Sequence, residues 1–223
     1  MENEKLISHH SVFSSLDKAT LQKINDLAVA RKLGKGEFLV HQGEIWPFLF
    51  LVKQGAIAAE KDSEDGRTLV AATIGKGELF WGLAFFLGDA SMPAAFRVIE
   101  NAEVLLWSRN DLLSILQQNG SFAWELGKLA VQRMLLASEV LESMTFHPIA
   151  VRLARLLVGI SKDEVQNPIE RSMTLDEMAA RIGSTREMVC RLLYRFSDEG
   201  LIKITRTEFT VVDTENLHKR AQN

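Results

Sequence analysis

The spacing of apolar residues changes along the chain, and each pattern predicts a different structure. Leu16–Leu27 repeats its apolar positions at helical spacing, which predicts a short amphipathic helix. Residues 33–107 carry short apolar runs separated by glycines, a pattern typical of an all-β sandwich or roll. In Glu64-Asp65-Gly66-Arg67, the Asp-Gly pair predicts a two-residue hairpin turn. The predicted strands are Glu37–His41, Phe48–Lys53, Ala56–Lys61, Leu69–Ile74, Ala94–Ile99 and Glu103–Ser108.

The pattern becomes helical from Arg109 onwards. Asn110–Gln117 predicts a short helix, and a second helical pattern runs without interruption from about Ser121 to His147. A helix of that length spans about 40 Å, which is more than one small domain needs for its core. It is either a buried connecting helix or, as we favour, the seam of a parallel dimer. Its predicted apolar stripe is Leu126, Leu129, Met134, Leu136, Val140, Leu141 and Met144.

Two short helices and a hairpin are predicted after the break at His147-Pro148. Thr174-Leu175-Asp176-Glu177 fits a capping box at a helix start, and Gly183 can end that helix in a left-handed conformation. Ser184-Thr185 then precedes a second helix, Arg186–Phe196, so the pair predicts a helix-turn-helix. The runs Leu201–Ile204 and Phe209–Val212 predict two strands of a wing.

The second helix of this pair carries side chains that can read DNA bases. Arg186 and Glu187 lie on its first turn, and Cys190 and Arg191 lie one turn later. Arginine donates bidentately to guanine, and glutamate accepts from cytosine N4, with about 1–3 kcal/mol of discrimination per good pair. A second capping box, Ser184-x-x-Glu187, together with a solvated arginine face, is the alternative interpretation.

Charge is distributed unevenly along the 223 residues. The chain has 26 Lys+Arg and 29 Asp+Glu, a net charge of -3, which argues against a bulk polyanion binder. Residues 1–145 hold 14 basic and 18 acidic residues, whereas residues 181–206 hold six basic and three acidic ones. The local excess of positive charge therefore coincides with the predicted helix-turn-helix.

Several classes of protein and site are excluded by residues that the sequence lacks. With Cys190 as the single cysteine, an intramolecular disulfide, a Cys-only zinc site and a four-cysteine iron–sulfur cluster are excluded. We find no nucleophile with its base, no metal-ligand spacing and no Walker loop, so an enzyme is not predicted. No secretory signal or membrane-spanning run is visible, so a cytoplasmic protein is expected.

Taken in order, the predicted β-roll, long helix, proline break and winged helix-turn-helix resemble the bacterial CRP/FNR family of transcription regulators. The resemblance spans about Phe13 to Val212 and is most specific in Ile182–Leu193 and Val151–Leu157. The glycines of the predicted β-roll also match those of the family's sensor domain; they are Gly36, Gly43, Gly55 and Gly77.

The resemblance implies an α+β fold with an N-terminal antiparallel, jelly-roll-like β-roll, a long dimerisation helix and a C-terminal winged helix-turn-helix. The corresponding domains are residues 1–118, 119–147 and 148–223. It also implies a homodimer on a palindromic operator in double-stranded DNA, with RNA polymerase as a partner if the protein is an activator. The expected DNA-binding residues are Thr185, Arg186, Glu187, Cys190, Arg191, Arg195 and Arg206.

The predicted sensor domain differs from the cyclic-nucleotide binders of that family. Those proteins bind the ribose with a Gly-Glu pair and the cyclic phosphate with an Arg-Ser pair. Here Trp81-Gly82 and Met92-Pro93 stand at these positions. A cyclic phosphate needs a cation or free N–H donors, which Met92 and Pro93 do not supply. Cyclic AMP binding in the family manner is therefore not expected.

What the β-roll senses is left open by the sequence. Trp81, Gly82, Phe85, Met92 and Pro93 are candidates to line an apolar pocket for a small-molecule effector. Alternatively, these side chains simply fill the roll, and the domain is a structural dimerisation scaffold. For the whole chain, the alternative to a DNA-binding regulator is a ligand-binding or dimerisation module without specific DNA readout. A cyclic-nucleotide- or haem-responsive regulator is a further alternative, with His41, His147 or Met92 as haem ligands. No cofactor or metal is predicted, and Cys190 is either a thiol switch or a small residue facing DNA.

Overall fold

The structure of the protein is a computed structural model that describes residues 2–161, 169–170, 173–205 and 208–222. The chain forms two compact units. The first comprises Met1–Lys61 and Ala71–Ala137, and the second comprises Asp62–Val70 and Ser138–Asn223. This division falls inside the long helix, and the domain boundaries given above stay predictions.

The helices of the described residues include every one that the sequence predicted, with ends shifted by no more than two residues. They are α1 (Glu2–His9), α2 (Lys18–Leu27), α3 (Leu83–Leu87), α4 (Arg109–Gln118), α5 (Gly120–Phe146), α6 (Ile149–Ile160), α7 (Leu175–Ile182), α8 (Arg186–Asp198) and α9 (Thr214–Gln222). A single 3-10 turn at Ser11–Phe13 follows α1. Helices α1, α3, α6 and α9 were not predicted.

The strands between Val29 and Ser108 form an antiparallel sheet, which confirms the predicted fold class. They are β1 (Val29–Leu33), β2 (Phe38–Val40), β3 (Phe48–Asp62), β4 (Thr68–Ile74), β5 (Leu79–Trp81) and β6 (Ala95–Ser108). In the described part of the chain the sheet has the order β1-β6-β3-β4, with β2 added to β6 and β5 added to β3. The wing consists of β7 (Ile169–Glu170), β8 (Ile202–Ile204) and β9 (Glu208–Val211), in the order β7-β9-β8.

The strand break predicted at Gly55 is wrong, because β3 continues through it. Gly55 has a φ of +77°, and a Cβ at this position would overlap the carbonyl oxygen of Asn101 on β6. The register between β3 and β6 shifts between Val52 and Ile57. This glycine therefore marks a bulge at which two long strands approach closely, not a turn. The predicted break between residues 99 and 103 is likewise absent from β6.

The hairpin between β3 and β4 is confirmed, but its turn is longer than predicted. Ser63 N donates to Arg67 O at 2.8 Å, and Gly66 N donates to Ser63 O at 3.0 Å. These bonds close a three-residue loop, with Gly66 at a φ of +74°. Gly66 takes its left-handed conformation as the last residue of this three-residue loop. The predicted two-residue turn is therefore wrong.

The residues predicted as one apolar stripe of α5 lie on two faces of the helix. Leu126 is only 2% exposed and Leu129 is half-buried, because both pack inside their own unit with Phe122. Met134 and Leu141 are 64% and 68% exposed. Leu136 is exposed as well, whereas Val140 and Met144 are half-buried. The helix therefore has one apolar face that covers the β-roll and another that is open.

Candidate nucleic-acid interface

The first helix of the pair, α7, begins and ends as the sequence predicted. Thr174 Oγ1 accepts the Glu177 N–H at 3.1 Å, and the Glu177 carboxylate accepts the Thr174 N–H at 2.7 Å. Gly183 ends the helix in the left-handed conformation, with a φ of +59°. Both ends are set by local hydrogen bonds, so the turn before α8 has a fixed length.

We expect Thr174→Ala to lower the free energy of unfolding of the second unit by about 1 kcal/mol, because the Glu177 N–H loses its acceptor. Thr174→Ser is the matched control, since it keeps the hydroxyl and should change stability by much less. Urea unfolding followed by circular dichroism measures both. Equal stability of the alanine and serine variants would show that this cap contributes nothing.

The second helix, α8, begins one residue later than the alternative capping box requires. Thr185 is the N-cap, and its hydroxyl accepts the Met188 N–H at 3.3 Å. The Ser184–Glu187 capping box is therefore wrong. Instead, hydrogen bonds from its own backbone N–H and from the Thr185 hydroxyl, with the charge of Arg186, lower the pKa of Glu187. An exposed, ionised acceptor is thus held at the start of the helix.

The two faces of α8 differ sharply. Its apolar face is buried in one core with residues of α6, α7, α9 and the wing, and consists of Val189, Leu192, Leu193 and Phe196. The exposed side chains of the opposite face include Arg186, Glu187, Arg191, Tyr194 and Arg195. The free thiol of Cys190 is half-buried at its edge. The polar groups of α8 that are predicted to meet DNA thus lie together on one outward surface.

The three arginines of this surface point to different neighbours. Arg186 Nη1 lies 3.0 Å from Asp176 Oδ2, across the turn between α7 and α8. Arg191 Nη2 lies 2.9 Å from Met188 Sδ, towards the helix start. Arg195 Nε is 3.7 Å from Glu199 Oε1, at the helix end. The donors are therefore spread along the length of α8.

Two exposed residues of the helix-turn-helix and its wing, Tyr194 and Lys203, were not among the predicted site residues. Tyr194, which is 63% exposed, follows Arg191 by three positions and Glu187 by seven, so it shares their face. Helical spacing alone could have found it. Lys203 is exposed on β8 of the wing. Arg206, which was predicted to contact DNA, lies outside the described residues.

In the first unit, the position of the family's ribose-binding glutamate has no room for a side chain. Gly82 is buried, and a Cβ built on it would overlap the Trp46 carbonyl oxygen and lie 2.8 Å from Trp46 Cε3. Its N–H donates to Phe48 O at 2.9 Å. This close approach of two backbone segments requires glycine.

The position of the family's phosphate-binding pair offers no free donor either. Met92 is buried, its N–H donates to Glu44 O at 2.8 Å, and its carbonyl accepts the Gly43 N–H at 2.8 Å. Pro93 is exposed and has no N–H to offer. The groups that would hold a cyclic phosphate in the family manner are therefore missing or occupied.

The candidate pocket residues are distributed over more than one cluster of apolar side chains. Phe85 is buried in the cluster that contains Trp107, whereas Met92 is buried in a second cluster with Phe96. The ring of Trp81 stacks on Phe80, with centroids 5.1 Å apart. Phe85 and Met92 thus belong to two different cores, and a shared effector pocket stays a prediction.

Arg133 is a charged group near these rings that was not among the predicted site residues. It projects from α5, and its Nη2 lies 2.9 Å from Glu78 Oε1 while its guanidinium lies 5.2 Å from the centroid of Phe80. Its Nε is buried and has no hydrogen-bond partner in the described part of the chain. Burial, and then the charge of Arg133, lower the pKa of His10.

The histidines considered as haem ligands already contact other side chains. His41 is exposed, with its ring 4.4 Å from that of Phe38, and His147 Nε2 lies 3.1 Å from Arg155 Nη2. Within the residues that the structure describes, no group of three or more His, Cys, Asp or Glu side chains could hold a metal ion. The helices found there also include none that is long and apolar enough to cross a membrane.

Comparison with known proteins identifies both halves of the chain. Residues 30–119 match the family model of the cyclic nucleotide-binding domain, and residues 151–220 match that of the Crp-like helix-turn-helix domain. The "Cyclic AMP receptor protein" of Thermus thermophilus is 27% identical over 183 residues, which cover 80% of this chain and 83% of that protein. The "Anaerobic regulatory protein" of Bacillus subtilis is 24% identical over 205 residues, covering 88% of this chain and 83% of that protein.

Solved structures share the fold along nearly the whole chain. A regulator of the CRP/FNR family from Eubacterium rectale superimposes with a TM-score of 0.81 at 20% identity, covering 96% of this chain and 98% of that one. The c-di-GMP-responsive global regulator CLP of Xanthomonas campestris gives a TM-score of 0.78 at 19% identity, covering 89% and 100%. Since a match to the cyclic nucleotide-binding domain precedes a match to the Crp-like helix-turn-helix domain, the chain belongs to the CRP/FNR family of transcription regulators.

Proposed function

We propose that this protein binds a palindromic DNA operator sequence-specifically as a homodimer, and that it works as a regulator rather than as an enzyme. The observation that carries the proposal is the outward face of α8. There Thr185 holds an ionised Glu187 beside the exposed Arg186, and Arg191 follows one turn later. Arginine donors and a carboxylate acceptor on successive turns can distinguish guanine and cytosine in the major groove.

The dimer is supported by the open apolar face of α5. Trp124, Val131, Met134 and Leu141 are all at least half exposed, and their spacing of seven, three and seven residues is that of a coiled-coil seam. Two copies joined along this face would carry two copies of α8. A two-fold symmetric protein calls for a two-fold symmetric operator, with half-sites about one helical turn apart.

We further propose that the β-roll controls DNA affinity through a signal other than cyclic AMP bound in the family manner, with no resident cofactor. Gly82 leaves no space for the ribose-binding carboxylate, and the Met92 N–H is already used. An apolar effector would have to displace packed rings such as Trp81 and Phe80. If the protein is an activator, RNA polymerase is a second partner.

Selection of bound duplexes from a random pool tests the DNA-binding proposal. We expect enrichment of a symmetric site with half-sites about 10 bp apart. Arg191→Ala should then lose about 1–3 kcal/mol of discrimination at one G·C pair, because its guanidinium can donate to guanine O6 and N7.

The matched control is Lys203→Ala, which removes an exposed positive charge from the wing instead of from α8. It should weaken binding to all sequences evenly and lower the slope of log affinity against log salt by about 1. A pool that shows only salt-sensitive binding without an enriched site would contradict the proposed function.

A further inference from the structure

Asp176 and Arg186 form an ion pair that joins the two helices of the helix-turn-helix on their outward side. Asp176 Oδ2 lies 3.0 Å from Arg186 Nη1, and the side chains are 66% and 60% exposed. The neighbouring carboxylate, Glu177, caps α7 through Thr174. Asp176 takes no part in that cap, so the end of its side chain is available to Arg186.

Acidic groups lie on both sides of Arg186. Glu187 follows it in the sequence and is held by the Thr185 hydroxyl and its own N–H, and Asp176 lies across the turn. This helix start therefore carries two carboxylates and one guanidinium, although α-helix N-termini attract phosphate. Two carboxylates repel the DNA backbone, which supplies most of the affinity for non-specific DNA.

The ion pair also leaves a useful part of the guanidinium unoccupied. Asp176 uses Nη1, and the described residues give Arg186 no other hydrogen bond. The Nη2 and Nε donors remain, and such an edge matches the O6 and N7 acceptors of guanine. An arginine already held in one orientation loses less conformational freedom when it binds a base.

We propose that Asp176 is a specificity-determining positioning residue, which orients Arg186 for base reading and keeps it from pairing with phosphates. This inference rests on the proposed function, because it requires that α8 reads bases. It adds a residue of α7, the helix that does not enter the groove, to the determinants of sequence preference.

Binding titrations of the full-length protein with three duplexes test this proposal. The duplexes are the selected operator, a variant changed at the base pair that Arg186 reads, and a random sequence. Asp176→Asn should reduce discrimination at that base pair at least about threefold, a fraction of what one bidentate contact provides. It should also raise affinity for the random duplex and steepen its salt dependence, because Arg186 becomes free to pair with a phosphate. Asp176→Glu keeps the charge and should retain most of the discrimination.

Asp198→Asn is the matched control, since it removes the same charge from an exposed position at the other end of α8. It should leave discrimination unchanged. In an Arg186→Ala background, Asp176→Asn should have no further effect on discrimination, because the residue that it positions is gone. Thermal melting of each variant shows whether it is folded.

The outcomes separate the inference from the proposed function. Wild-type discrimination in Asp176→Asn, an equal loss in Asp198→Asn, or a loss that persists without Arg186 would overturn the inference alone. A random pool without any enriched site would contradict the proposed function, and the inference with it.

Discussion

A glutamate at position 82 will not create a cyclic-nucleotide site, and it will destabilise the first unit by about 3 kcal/mol. The added Cβ would overlap the carbonyl oxygen of Trp46 and press on its indole ring at Cε3. The first of these clashes involves the backbone of a neighbouring segment, so no side-chain rotation relieves it. The Gly82–Trp46 contact has to open before any side chain can enter, and Gly82→Ala should therefore already show most of the loss.

Urea unfolding measures the stability of the Gly82 variants, and calorimetric titration with cyclic AMP measures binding. Gly75→Ala is the matched control, because its Cβ would meet Glu78 Oε2 at an ordinary contact distance of 3.6 Å. We expect that variant to stay within about 0.5 kcal/mol of the wild type. A Gly82→Glu protein with wild-type stability and measurable cyclic AMP affinity would contradict this interpretation of the sensor.

The two halves of the chain therefore relate to their family in different ways. The helix-turn-helix keeps charged groups on the outward face of α8. The β-roll keeps the fold and loses the ligand groups: Gly82 excludes a side chain, and Met92 has its N–H bonded to Glu44. The cation close to the aromatic rings, Arg133, comes from α5 instead and is paired with Glu78. We therefore expect that the signal proposed to act on this unit works through different contacts.

The sequence predicted the helix-turn-helix most closely because its ends depend on neighbouring residues. Thr174 and Glu177 cap each other three positions apart, and Gly183 ends α7 by its own conformation. The sequence could not show that Asp176 meets Arg186, since that pair depends on how α7 and α8 cross. The periodicity of apolar residues describes one helix or strand at a time, so it does not predict contacts between two of them.

Elements with few apolar residues escaped prediction for a different reason. Helix α9 buries only Leu217 and Ala221 among its described residues, and four of the five residues of β1 are exposed. Packing against α6 stabilises α9, and backbone pairing with β6 stabilises β1. Neither interaction leaves a strong apolar pattern in the sequence. The strand break at Gly55 was predicted wrongly because glycine occurs both in turns and in bulges.

The long helix shows what apolar spacing can and cannot decide. Residues such as Leu126 and Met134 both recur at helical intervals, yet one is buried in its own unit and the other is exposed. Two apolar faces on one helix give overlapping patterns, and only the packing of the β-roll tells them apart. The dimer is therefore best tested on the open face.

We expect Met134→Glu to shift the proposed homodimer to a monomer. Met134 is 64% exposed in the single chain and lies between Val131 and Leu141 on the open face of α5. In a parallel dimer it would meet its own copy, so the variant would bury two like charges without partners. Burying an unpaired charge costs about 3–5 kcal/mol, which corresponds to a loss of at least about 100-fold in dimer affinity.

Sedimentation equilibrium over a range of concentrations measures this change, and titration with the selected operator measures its consequence. A monomer would hold one half-site at a time, so affinity for the palindrome should fall towards that for a single half-site. Gln132→Glu is the matched control, because it adds the same charge two residues away at an exposed position outside the seam spacing. A Met134→Glu protein that stays dimeric under conditions where Gln132→Glu does would show that the open face of α5 is not the dimer interface.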